Sequence, residues 1–182
     1  RLVTGARNLA GEIGHLPAVP DGELCACGQH GCVETYASAS ALPRRYLAAT
    51  GAQPPAAEGV RAEGVRAEGV RAEGVRAEQV LARAAAGDPV ARTVYEQALT
   101  ALARAMISYV LLLDPALVVI GGGLSLAGDQ LLVPLADRIQ AGLSWRAAPR
   151  LVTARFGADS GRVGAALVGW RGYDAGGLAS AG

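Results

Sequence analysis

Gly11-Glu12-Ile13-Gly14-His15, then Cys25-Ala26-Cys27-Gly28, then Gly31-Cys32-Val33-Glu34: these strings fall within the first 34 residues, and their reading decides the fold. They hold all three cysteines of the chain and one of its two histidines. His15 and Cys25 are separated by nine residues, Cys25 and Cys27 by one, Cys27 and Cys32 by four. One imidazole and three thiolates make a closed tetrahedral donor set, the kind that holds structural zinc and leaves no position open for water. Soft thiolates favour zinc over magnesium or calcium. Gly22 and Gly28 let the chain fold back so that the donors can converge. The alternative is three thiols acting as small core residues beside an unrelated histidine. Against it stands a segment, residues 16–32, too rich in Gly and Pro to be core.

Composition agrees with a metal-bearing α/β domain. Three cysteines in so short a window argue against a disulfide framework, which points to a cytoplasmic protein. Net charge is +1 with acids and bases mixed, so no basic block tracks nucleic-acid phosphates. The longest apolar stretch, Met106 to Leu113, is too short to span a bilayer, and the start does not read as a signal peptide. Half the residues are apolar but only 4% are aromatic, so the core must rest on Leu, Val and Ala. The chain begins at Arg1 with no clear start to a fold, and a fragment lacking its N-terminal part is expected.

Downstream of the cysteines the text turns helical. Val33, Tyr36, Ala37 and Ser40 share a face, which predicts one helix from Cys32 towards Leu47. Residues 58–77 are four tandem copies of Glu-Gly-Val-Arg-Ala. A five-residue step advances roughly 140° beyond a full helical turn, so the valines make no stripe. Each copy carries a Gly costing about 1 kcal/mol against Ala, which i,i+3 Glu–Arg pairs worth roughly 0.2–0.5 kcal/mol do not offset. A disordered insertion or frayed helix is expected over 58–78. Structure should resume at Gln79. Asp88-Pro89 opens a long helix to about Leu113, with Val94, Leu99, Leu102, Met106 and Val110 on its buried face. Asp114-Pro115 ends it, and Leu117 to Ile120 reads as a strand buried on both faces, followed by Gly121-Gly122-Gly123. A helix from Gly128 to Leu143, a strand from Arg150 to Phe156 and a small-residue helix from Gly161 to Trp170 complete a layered α/β pattern. The segments are therefore 1–57, the repeat at 58–78, the remainder at 79–172 and a disordered tail at 173–182.

The three opening strings, with Gly87-Asp88-Pro89, Asp114-Pro115, Val119-Ile120-Gly121-Gly122-Gly123 and Gly164-Ala165-Ala166, resemble the signature of ROK (repressor, open reading frame, kinase) sugar kinases and their repressor relatives. The resemblance runs from about residue 1 to 172, interrupted by the repeat. It implies the C-terminal lobe of an actin-like, ribonuclease H-like ATPase fold with a zinc-binding loop. It further implies that Glu12 and Glu34 bind sugar hydroxyls, that His15 ligates zinc through one nitrogen and meets the sugar with the other, and that Gly121, Gly122 and Gly123 lie beside the adenosine of ATP. Taken without the resemblance, Glu34 could simply favour a helix dipole, Glu12 could be a surface acid and the glycines a turn. His30 reads as a solvated loop residue.

The implied activity is ATP-dependent phosphorylation of glucose at its 6-hydroxyl, with Mg²⁺ accompanying ATP, in a protein that forms homo-oligomers. The same residues would serve the sugar-sensing domain of a ROK repressor, which alone would bring a nucleic-acid partner. The family's catalytic aspartate and phosphate loops would lie upstream of Arg1. Asp88, Asp114 and Asp129 stand in the wrong context to replace that base, so the isolated chain is expected to be inactive.

Overall fold

The computed structural model describes residues 3–51 and 75–176. Most of the repeat, through Gly74, lies outside them, as do residues 177–182 of the expected tail. A short 3-10 turn, Ile13–His15, precedes the cysteine loop. Helices α1 (Glu34–Ala37), α2 (Ala41–Thr50), α3 (Ala77–Ala85) and α4 (Pro89–Leu113) follow, then strand β1 (Leu117–Ile120). Another 3-10 turn (Gly123–Ala127), α5 (Asp129–Gly142), strand β2 (Arg150–Thr153) and α6 (Ser160–Gly176) complete the order.

Helix α4 is the spine. Asp88 caps it, its carboxylate accepting the N–H of Val90 at 2.9 Å and of Ala91 at 3.0 Å, with Pro89 in the first turn. The third acceptor contact of Asp88 comes from Tyr46 Oη at 2.7 Å, and this bond, ahead of the two backbone donors, holds the carboxyl below its usual range. Ala91, Val94, Ala98 and Ala101 of α4 face one cluster with α1, α2 and α3, while Leu99, Met106 and Val110 face a second with Leu131, Leu135 and Ile139 of α5. Leu102 is partly buried and packs against both. By length and composition α4 could also cross a membrane; 39% of that apolar window is buried within the fold, while Leu111, Leu112 and Leu113 at its end are exposed.

Several elements differ from the sequence reading. The helix expected from Cys32 breaks into α1 and α2, because Ser38 turns extended and its Oγ accepts the Ala41 N–H at 3.1 Å. The fold resumes before Gln79: Val75 and Ala77, from the last repeat copy, are buried, and Gln79 Oε1 accepts the Arg76 N–H at the start of α3. Strand β2 ends at Thr153, short of Phe156, and α6 continues to Gly176, into the segment expected as tail. Strand β1 pairs in parallel with β2, Leu117 opposite Arg150, but is not buried on both faces. Val118 and Ile120 pack onto the α5 cluster, whereas Leu117 and Val119 lie exposed, since no described element covers the other face.

Candidate functional site

The cysteine loop is shaped by close backbone approach. Isolated antiparallel bridges join Pro17 to Cys32 and Leu24 to His30. Gly31 sits at φ +74°, and a Cβ there would fall 1.8 Å from the Val19 carbonyl oxygen. A Cβ on Gly22 would meet Tyr36 Oη at 2.5 Å. These two glycines are therefore fixed by the fold, while Gly28 at φ +89° turns in open space.

The folded loop brings the four predicted donors together: the ligating atoms of His15, Cys25, Cys27 and Cys32 all lie within 4.8 Å of one another. Cys27 Sγ is 3.6 Å from Cys32 Sγ, and Cys25 Sγ is 3.7 Å from His15 Nδ1. Tetrahedral zinc with Zn–S of about 2.3 Å separates its sulfurs by roughly 3.8 Å, so the donor set fits the ion with little movement. Cys25 and Cys32 are buried and Cys27 is exposed. Desolvation, with the neighbouring thiols, pushes the Cys32 thiol up to about 12, whereas a backbone hydrogen bond at Gln29 leads the lowering at Cys27. A buried thiol of that kind stays protonated at neutral pH until a cation displaces the proton.

Two carboxylates flank the same histidine. Glu12 Oε2 stands 3.9 Å from His15 Nε2, and Glu34 Oε2 stands 3.6 Å from Nδ1. Both glutamates are more than half exposed, at 62% and 51%, so neither is spent on a buried structural ion pair. Gly14 closes the gap: a Cβ there would touch Glu34 Cβ at 3.5 Å. Ile13, between Glu12 and Gly14, packs against both core clusters and seats the turn on the helical spine. Glu12, His15 and Glu34 thus form one open, acid-rich constellation beside the four-donor group. Carboxylates in this setting can accept hydroxyl hydrogens from fixed directions.

Gly121, Gly122 and Gly123 lie in a turn leaving β1. Gly122, at φ 71° and ψ −167°, adopts a conformation essentially reserved for glycine, and no described atom approaches its Cβ position. A Cβ on Gly123 would instead meet Ala39 Cβ at 3.1 Å, so this turn abuts the corner between α1 and α2. Other candidates are accounted for structurally. His30 is exposed and its Nδ1 pairs with the Gly22 carbonyl at 2.9 Å. Asp88 caps α4, Asp114 pairs with Arg146, and Asp129 opens α5.

Sequence reasoning passes over the residues that brace the loop from behind. Tyr36 Oη accepts the Glu23 N–H at 2.9 Å. Arg45 lies over the Tyr36 ring at 4.1 Å, donates from Nε to Glu23 at 2.7 Å and from Nη2 to Gln97 at 2.8 Å. Arg104 Nη1 donates to the Ala18 carbonyl at 2.8 Å. Nothing local in the sequence signals these links, because the partners of Arg45 and Arg104 come from distant segments.

The sequence profile of the ROK family matches residues 1–170. A glucokinase of Streptomyces coelicolor is 36% identical over 169 residues, covering 91% of this chain and 52% of that protein. The crystal structure of a ROK family glucokinase from Streptomyces griseus, in complex with glucose and AMPPNP, superposes with a TM-score of 0.71 at 30% identity, covering 92% of this chain and 54% of that one. A ROK family transcriptional regulator, homologous to the MLC protein of E. coli, gives 0.66 at 29% identity, over 96% of this chain and 42% of that one. The chain spans about half the length of these relatives.

Proposed function

The chain belongs to the ROK family, and from that premise we propose that it supplies the sugar-binding part of an ATP-dependent glucokinase, which transfers the γ-phosphoryl group of ATP to the 6-hydroxyl of glucose. The observation that carries this reading is the convergence of Glu12 and Glu34 on His15, with the four-donor group directly behind. In this reading the two carboxylates accept hydroxyl hydrogens of the hexose. His15 offers Nε2, the nitrogen beside Glu12, to the sugar, and Nδ1, the nitrogen beside Cys25, to the metal. Zinc, when bound, supplies the charge and fixed geometry that lock the loop. With zinc bound, the role of His15, Cys25, Cys27 and Cys32 would be to hold Glu12 and Glu34 at a set separation. The turn Gly121–Gly123 takes the adenosine side of ATP, with Mg²⁺ on the phosphates.

Phosphoryl transfer needs a general base, worth roughly 10²–10⁴ in rate, and donors on the phosphates. The described residues bring no further carboxylate into the Glu12–His15–Glu34 group, and those present are committed to sugar hydroxyls. The isolated chain therefore binds hexose without phosphorylating it. A second reading, the ligand-sensing domain of a ROK repressor, is favoured by the likeness to the transcriptional regulator. It uses the same three residues and differs in having no need of nucleotide.

Calorimetric titration of the zinc-loaded chain with glucose, galactose and mannose tests the proposal. Glucose should bind tightest, because carboxylates placed for one arrangement of hydroxyls leave an unpaired polar group with an epimer. Equal affinity for all three, or none for any, would contradict it. Glucose binding without uptake of Mg²⁺–AMPPNP would favour the sensor.

A further inference from the structure

The three glycines after β1 are one run in the sequence, but the structure separates them. Gly122 is glycine for conformational reasons, at positive φ with open space around its Cβ position. Gly123 has no positive φ, so its backbone alone would accept any residue. What fills the space of its missing side chain is Ala39, whose Cβ lies 3.1 Å from the ideal Cβ position, closer than ordinary packing. Ala39 sits in the corner Ser38-Ala39-Ser40, five residues after Glu34, the first residue of α1. We propose that Gly123 is a positioning residue: through contact with Ala39 it holds the nucleotide turn in register with the segment that carries Glu34.

Neither side of this contact can retreat freely. On one side, Ser38 Oγ accepts the Ala41 N–H at 3.1 Å and lies 3.1 Å from Ser40 Oγ, while Ala37 and Ala41 on either flank are buried. Arg44 ties α2 back to α1 by donating to the Thr35 carbonyl at 2.8 Å. On the other side, buried Ser125 donates to the Gly122 carbonyl at 2.7 Å, and Leu124 and Ala127 pack into the core. A methyl group added at 123 must therefore displace the corner, the turn, or both. The corner leads directly back to α1 and Glu34, so the displacement reaches the sugar side. Ala39 itself is exposed, so the shift passes along the chain, through the buried flanks Ala37 and Ala41 that anchor the corner, and not through a packed interior.

This inference rests on the proposed sugar and nucleotide sites. It is tested by titrating the zinc-loaded chain with glucose and, separately, with Mg²⁺–AMPPNP, in Gly123→Ala, Ala39→Val and the double variant Gly123→Ala with Ala39→Gly. Each single variant crowds the contact from one side and should weaken both ligands by about fivefold or more, the lower end of ordinary coupling between sites. The double variant moves the methyl group across the contact and should restore both affinities. Loss of nucleotide binding with glucose affinity unchanged would overturn the inference and make Gly123 a nucleotide contact only. Failure of Ala39→Gly to restore binding would overturn it as well. An unmodified chain that takes up neither ligand would instead overturn the functional reading itself, and this inference with it.

Discussion

At the scale of the residue, Cys32 and Glu34 divide the labour of the site within three positions. Cys32 is fully buried and its thiol is pushed up to about 12, so zinc must expel its proton. Zinc binding at pH 7 should therefore release at least about one proton per ion, read as a dependence of the calorimetric enthalpy on the ionisation heat of the buffer. An enthalpy independent of buffer would contradict this. Glu34 is exposed and faces His15, and under the proposed function its substitution should separate sugar binding from metal binding. Glu34→Gln should weaken glucose by roughly 10- to 100-fold, the loss of one or two charge-assisted hydrogen bonds, while zinc content stays unchanged. The clustering of His15, Cys25, Cys27 and Cys32 was legible in the sequence because their spacing is itself the signal. The bracing role of Arg45 was not, since Glu23 and Gln97 lie 22 and 52 residues away along the chain.

At the scale of the element, helix α4 shows how a local cap becomes a tertiary joint. Asp88 satisfies two N–H groups of α4 and also accepts from Tyr46 of α2, whose oxygen takes a further hydrogen bond from Arg83 of α3 at 3.0 Å. The Asp88 carboxyl is lowered in the folded chain. Its contribution is therefore present above the unfolded value of about 3.9 and is lost as pH falls through the folded value. Asp88→Asn should flatten that acid limb of the stability profile, and Asp88→Ala should lower the thermal midpoint by roughly 2–4 °C. An unchanged acid limb in Asp88→Asn would place the titration elsewhere. Asp-Pro announced this helix in the sequence, whereas the break between α1 and α2 was hidden. Its apolar spacing continues across Ser38 to Ser40, and only the side-chain bond from Ser38 to the Ala41 N–H decides against helix there. The repeat shows the reverse case. Val75 and Ala77 of its last copy are buried, and the earlier copies repeat the same five residues. Removing residues 58–62 leaves Val75-Arg76-Ala77 in place and should leave zinc content and thermal midpoint unchanged. A loss of zinc would contradict that.

At the scale of the whole molecule, two clusters share one spine and, among the described residues, one sheet face is left open. Leu117 and Val119 of β1 are 41% and 55% exposed, in a parallel pair whose strands would normally be covered on both sides. The sequence reads this apolar strand in its place, Leu117 to Ile120, but expects it buried on both faces; burial depends on what packs against it, and that information lies in other elements. The Glu12–His15–Glu34 group, in contrast, lies wholly within the described residues, because its three members come from a single stretch of 23 residues, Glu12 to Glu34, beside the four clustered donor side chains. The central claim is that zinc creates the sugar site by ordering that stretch. The most direct test is a glucose titration of the same sample zinc-loaded, stripped with a chelator and reloaded. The account predicts binding when loaded, loss of binding when stripped and recovery on reloading. Glucose affinity that survives removal of the metal would contradict it.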